Sequence, residues 1–302
     1  MQSSTKDFHG KTCLITGANS GLGKAISIQM ARKGTSVIMA CRKNYTTAQS
    51  EIQDKSGNKD VGLRILDLSS LQSVSRFCDQ LVEDKIRIDI VFINAGMVAA
   101  ANTISQDGYS LIWQVNYLSN FLLIKRMLTD GVIPNTVFCA HNQKSAVIPR
   151  IIFTSSSRHR GELSIDFNTF GKFEDFELQD IFKWYGLSKL YLMTYAWELG
   201  RQLTKEGNPE VSVHAFCPGP FRSQIGKGAG GLARLVMSCM PTTPEKAAWP
   251  AVHLASAASL EGITLQYFHK RTSEQPDPRV TDVVTSAKLW SETEKLIIKH
   301  TC

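Results

Sequence analysis

The chain has 302 residues, 43% of them hydrophobic and 20% charged, which excludes a disordered or fibrous polypeptide and leaves room for a sizeable core. Thirty-four basic against 27 acidic residues give a formal charge of +7, but the cations are scattered, with no run of five, which argues against nucleic acid as partner. No stretch reaches the roughly 18 apolar residues of a membrane span, Met1 to Gly10 has no apolar signal core, and the seven cysteines and seven histidines show neither CxxC nor HxxxH spacing, so the expectation is a soluble cytoplasmic protein with reduced thiols and no metal.

Apolar strands then alternate with helical stretches. Lys11 to Thr16 reads as a strand, Lys24 to Lys33 as a helix stopped by Gly34, and Ser36 to Cys41 as a second strand. Val61 to Leu66 and Ile88 to Ile93 are the third and fourth strands, each preceded by a helical stretch. Asp107 to Leu128 reads as one long helix and Ile151 to Thr154 as a strand. Lys183 to Leu203 is helical, and Val211 to Phe216 and Ile263 to Phe268 are the last strands. Nearly continuous Val/Ile/Leu runs mark strands buried on both faces. Their order predicts one α/β domain, a doubly wound parallel sheet with helices on both faces.

Thr16 to Gly23 (TGANSGLG) falls at the first strand-to-helix junction. Gly17 permits the tight turn, Gly21 lets backbone approach a pyrophosphate, and Gly23 allows the helix to pack close on the strand. The helix N-terminus behind them presents N–H groups to an anion. A dinucleotide site for NAD commonly has a carboxylate about 20 residues further on, for the ribose hydroxyls. Here the second strand ends in Cys41, followed by Arg42 and Lys43. A guanidinium there suits a 2′-phosphate, so NADP(H) is expected over NAD(H); the other reading is two ordinary loop charges.

Tyr185 and Lys189 are four apart at the start of a helical stretch, on one face. An ammonium beside a phenol lowers its pKa from about 10, which makes the pair a sensible proton donor and tuner. Such a pair alone is common on surfaces. Ser155, Ser156 and Ser157 follow the fifth strand, and Asn94, Ala95 and Gly96 follow the fourth. Asn116 lies in the long helix, and Pro218 and Gly219 end the sixth strand. Open α/β sheets bind ligands at such carboxyl ends. Each residue by itself is equally a turn former, cap or buried polar group.

Together these motifs resemble the short-chain dehydrogenase/reductase superfamily over about residues 9 to 270, and so a Rossmann-type fold. The resemblance implies a tetrad of Asn116, Ser156, Tyr185 and Lys189. Tyr185 would exchange the proton at a carbonyl oxygen, and Ser156 would orient that oxygen. Lys189 would lower the Tyr185 pKa and bind the nicotinamide ribose, and Asn116 would hold a relay water. It further implies cofactor contacts from Gly17, Asn19, Ser20, Gly21, Leu22, Gly23, Asp67 and Leu68, with Asp67 at the adenine. Asn94, Ala95, Gly96, Pro218, Gly219 and Ser223 complete that set, Ser223 standing where the family often has threonine. Ala40-Cys41-Arg42, the run Arg150 to Ser156, the 28 residues between Ser156 and Tyr185, and Ala287 to Glu292 resemble the retinol dehydrogenase and WW-domain oxidoreductase branch. The insertion from Pro134 to Pro149 departs from it.

Six aromatics between Phe167 and Trp184 wall an apolar pocket or pack as a flap. Gly226, Gly228, Gly230, Gly231 and an apolar set between Pro218 and Pro241 read as a lid, or as a static, membrane or subunit contact; a C-terminal tail runs from about 271 to 302. The expected function is NADP(H)-dependent interconversion of a carbonyl and an alcohol on a fairly apolar small molecule, retinoid-, steroid- or xenobiotic-like. The alternatives are a sugar-nucleotide epimerase or dehydratase, disfavoured by the glycine spacing and the brief tail, and a non-catalytic nucleotide-sensing protein, disfavoured by the intact tetrad. Homo-oligomerisation is left open.

Overall fold

The computed structural model describes residues 8–98, 103–139, 141, 147–173, 176–221 and 242–300. Eight strands among these form one sheet. They are β1 (Thr12–Thr16), β2 (Ser36–Cys41), β3 (Val61–Ile65), β4 (Ile90–Ile93), β5 (Arg150–Thr154), β6 (Ser212–Cys217), β7 (Gln266–His269) and β8 (Thr272–Glu274). Their spatial order is β8-β7-β6-β5-β4-β1-β2-β3, all parallel except β8, which turns back antiparallel on β7. The chain winds outward from β1 to β3, returns to β4 beside β1, and winds the other way. The carboxyl ends of β1 and β4 therefore meet at the switch point, where such sheets open a crevice.

Alternation along the strands divides the core. Leu14, Val91, Ile93, Ile151 and Phe153 face one layer, built on α3 (Leu71–Glu83), α4 (Ser119–Thr129), α5 (Ile181–Gln202) and α7 (Val283–Ile297). Cys13, Ile15, Phe92 and Ile152 face the other, built on α1 (Gly21–Arg32), α2 (Thr46–Ser56) and α6 (Trp249–Ser256). Both faces are covered, which explains the nearly unbroken apolar strands.

Four features differ from the sequence expectation. The long helix begins at Leu111, not Asp107: Gly108 turns the chain at φ +87°, and Asp107 instead accepts hydrogen bonds from the Leu71 N–H and Gln114. The last predicted strand starts at Gln266: positive φ at Gly262 and Leu265 interrupts the strand conformation, and Val213 of β6 is met there by the Thr264 hydroxyl and the Leu265 N–H. The edge strand β8 was not foreseen. Nor was the packing of α7, whose Trp290 lies against Phe121, Tyr195 and Phe138. Of the expected lid, 222–241 lie outside the described residues, as do 140 and 142–146 of the insertion. No described helix is long and apolar enough to cross a membrane.

Candidate active site

Thr16 ties the two strand ends together. Its Oγ1 accepts from the N–H groups of Asn94 and Ala95, both at 2.9 Å, and its carbonyl accepts from Asn94 Nδ2 at 2.9 Å. Gly17 and Gly21 take positive φ, and a Cβ on Gly23 would stand 2.3 Å from the Gly17 carbonyl oxygen. That contact is why α1 closes so tightly on the turn. Ser20 precedes α1 with no side-chain cap, and the first turn has no acidic residue. The Leu22 side chain is buried, so only its backbone can serve a ligand.

At the end of β2 the buried Cys41 thiol is hydrogen-bonded by the Ala18 and Asn19 backbone, and burial pushes it up to about 11. Arg42 and Lys43 are exposed and have no ion-pair partner among the described residues. Asp67 lies two residues beyond β3 and accepts from the Ser69 N–H and hydroxyl; the carbonyl of buried Leu68 accepts from Ser119.

Asn116 sits in a π-helical turn, Gln114–Leu118, between the single turn Leu111–Trp113 and α4. Such bulges recur at functional sites. The buried Asn116 side chain is fully engaged. Its Oδ1 accepts from Met97 N–H at 2.8 Å, and its Nδ2 donates to the Met97 carbonyl at 3.0 Å and to Ser188 Oγ at 2.9 Å. A Cβ on Gly96 would lie 3.1 Å from Asn116 Oδ1 and 3.4 Å from Lys189 Nζ, so only glycine leaves this junction open without displacement.

Tyr185 and Lys189 share one face of α5, with the ammonium 5.8 Å from the ring centroid. Lys189 is buried and donates to the Thr154 carbonyl at 3.0 Å. Burial lowers it to about 8, against the opposing influence of Cys217. The Tyr185 phenol is hydrogen-bonded by the Ser156 side chain. Burial, and after it the Cys217 sulfur, push the phenol well above its ordinary range; the Ser156 bond and the Arg158 charge act the other way. Thus burial, and not the Lys189 ammonium that sequence alone suggested, sets the phenol's pKa. At neutral pH the phenol therefore holds its proton.

Sequence reasoning missed the residues that hold these in place. Ser188, between Tyr185 and Lys189, fixes Asn116 and itself donates to the Tyr185 carbonyl at 2.7 Å. Ser156 caps the short turn Ser157–Arg160, where the buried His159 accounts for both ring nitrogens: Nδ1 with the Ser156 carbonyl at 2.6 Å, Nε2 with the Asp277 N–H at 3.2 Å. The second bond makes Nε2 an acceptor, so Nδ1 carries the proton. Burial lowers the His159 pKa and keeps the ring neutral. Arg279 binds Asp277 and the carbonyls of Leu163, His159 and Gly161. The tail beyond the sheet thus anchors the Ser156 turn, a partnership across more than 100 residues that leaves no local signal. Gly186 could have signalled part of it: a Cβ there would meet the Arg158 carbonyl at 2.6 Å. Cys217 Sγ accepts from the N–H groups of Ser157 and Gly219, joining the Pro218-Gly219 turn to the same place. Ser223 lies outside the described residues.

The aromatic stretch divides. Phe170 packs on Trp113 and Tyr191 and Phe167 on Phe170, as part of the core. Phe176 stacks on Trp184, and Phe182 is 41% exposed. A cavity of about 240 Å³ opens behind Ser188, between Trp113, Leu163, Trp184 and Tyr191.

Residues 11–158 match the family model of short chain dehydrogenases. Human retinol dehydrogenase 13 is 30% identical over 95% of this chain and 85% of its own length. Mouse retinol dehydrogenase 14 is 32% identical over 96% and 86%. Among solved structures, an uncharacterised protein from Mycobacterium paratuberculosis superposes with a TM-score of 0.71 at 25% identity, covering 97% of this chain and 95% of that one. A Shigella flexneri short chain dehydrogenase, crystallised with NADP, superposes at 0.63 and 19% identity, covering 89% of this chain and all of that one, and so speaks for the fold. The chain therefore belongs to the short-chain dehydrogenase family, as an oxidoreductase of the branch that holds the retinol dehydrogenases.

Proposed function

We propose that the protein interconverts a carbonyl and an alcohol on an apolar, retinoid-like substrate, with NADP(H) as the cofactor. The observation that carries this reading is the convergence of Tyr185, Ser156, Lys189 and Asn116 beside the carboxyl ends of β4 and β5.

The residues fit a phosphorylated dinucleotide. A Cβ on Gly21 would meet nothing within 4 Å, so the turn is open there to an approaching group, and α1 begins with neither a capping side chain nor a carboxylate to compete for its N–H groups. Gly17, Asn19, Ser20, Gly21, Leu22 and Gly23 would hold the pyrophosphate, and Asp67 and Leu68 the adenine. Asn94, Ala95, Gly96, Pro218, Gly219 and Ser223 would line the nicotinamide half. Arg42 and Lys43, with no anion of their own, would take the 2′-phosphate. When bound, NADP(H) supplies or accepts the hydride.

In the reducing direction Ser156 Oγ would hydrogen-bond the carbonyl oxygen and Tyr185 would deliver the proton to it. With its pKa above the ordinary range the phenol carries its proton at neutral pH, as this direction requires. Lys189 would bind the nicotinamide ribose and return a proton to Tyr185, drawn from a relay water held beside Asn116, whose side chain is fixed by Met97 and Ser188. Exposed Phe182 and the relationship to proteins named retinol dehydrogenases support an apolar substrate body. The test is NADPH consumption by the purified chain with all-trans-retinal and a panel of aldehydes and ketones. Absence of turnover across the panel, with NADPH bound, refutes the reading.

A further inference from the structure

We propose that Arg158 selects substrates that carry an anionic group on an otherwise apolar body. The inference rests on the carbonyl–alcohol reading above and narrows its substrate class.

Arg158 lies two residues after Ser156, and its backbone N–H donates to Ser156 Oγ. Its guanidinium lies over the Phe182 ring, 5.0 Å from the centroid, one turn of α5 before Tyr185. Its carbonyl meets α5 at Gly186, the residue after Tyr185. The charge is close enough to act on the Tyr185 phenol. The cation therefore stands at the rim of the site, oriented by stacking.

The neighbouring carboxylates belong to other cations. Glu162 and Asp180 pair with Lys183, Glu274 with Arg160, and Asp277 with Arg279. Arg158 is exposed and forms no ion pair among the described residues. A cation needed only to shield Phe182 would serve as well as lysine or with a paired carboxylate. A planar guanidinium, stacked and unpaired beside a proton donor, presents a fork that matches a carboxylate, sulfate or phosphate. Next to exposed Phe182 it describes a substrate with an apolar stem and an acidic end.

The experiment compares kcat/KM for straight-chain ω-oxo acids of graded length and for para-carboxybenzaldehyde, each against its own methyl ester, with NADPH. An exposed ion pair predicts an acid-over-ester preference of about 2- to 5-fold for at least one pair, fading as salt is raised. Arg158→Met keeps the stem over Phe182 and should bring the ratio to near one, and Arg158→Lys should keep part of it. The ratio is the readout, because the guanidinium also acts on Tyr185 and alters both rates together. Equal acid and ester values in the wild type, or a preference that survives Arg158→Met, overturn the proposal. Turnover of no aldehyde, acid or ester, overturns the reading beneath it as well.

Discussion

Replacing Arg42 by alanine removes the cation placed to distinguish NADPH from NADH. Arg42 is exposed and has no protein anion to give up, so a 2′-phosphate would meet a guanidinium ready to donate. Hydrogen bonds between charged groups contribute roughly 1.5–3 kcal/mol. Solvent screening at this exposed site puts the expectation at the lower end, about 1.5 kcal/mol, or about tenfold in Kd. Arg42→Ala should therefore weaken NADPH about tenfold and leave NADH nearly unchanged. Cys41 supplies the second half of the argument. Its buried thiol is hydrogen-bonded by the Ala18 and Asn19 backbone, so the position faces the turn that would hold the ribose. In Cys41→Asp a carboxylate would accept those same donors, offer itself to a free diol and repel a phosphate. The double variant should prefer NADH. Calorimetric titration of both cofactors at one stated ionic strength measures this. Equal affinities in the wild type, or a gap that persists in Arg42→Ala, would refute the assignment and move it to Lys43 or the Asn19-Ser20 turn.

Tyr185→Phe keeps the ring and removes the proton, and should lower turnover about 10²-fold or more with NADPH affinity nearly intact; wild-type turnover would reject the role. The raised phenol pKa further predicts that alcohol oxidation by the wild type climbs with pH into the alkaline range. Lys189 falls from 10.5 to about 8 in the fold, so between these values the unfolded chain holds a proton that the folded one lacks. Lys189→Met should weaken cofactor binding yet raise stability at neutral pH, by on the order of 2–3 kcal/mol, with the advantage shrinking as pH rises from about 8 toward 10.5; urea unfolding at both ends of that window decides. Arg279→Met releases the carbonyls of Leu163, His159 and Gly161, and should lower kcat about 10- to 100-fold by loosening Ser156 while NADPH Kd holds; a matching loss of both would mark a general folding defect.

The parts legible in the sequence are those whose causes are local. A strand buried on both faces must be apolar along its length, so β1, β2, β4, β5 and β6 could be read directly. The glycine turn was legible because each glycine answers a backbone demand: positive φ at Gly17 and Gly21, and contact with a carbonyl at Gly23. Tyr185 and Lys189 were legible because a helix brings residues four apart onto one face. What depends on separation in the chain needed the fold. The π turn that carries Asn116 has no sequence period of its own, and its hold by Met97 and Ser188 spans three elements. The tail's grip on the Ser156 turn, through Asp277, Arg279 and His159, joins residues about 120 apart. Burial decided the proton chemistry. Spacing puts an ammonium near a phenol and suggests a lowered pKa, but desolvation is set by everything packed around the pair, and here it raises Tyr185 and lowers Lys189.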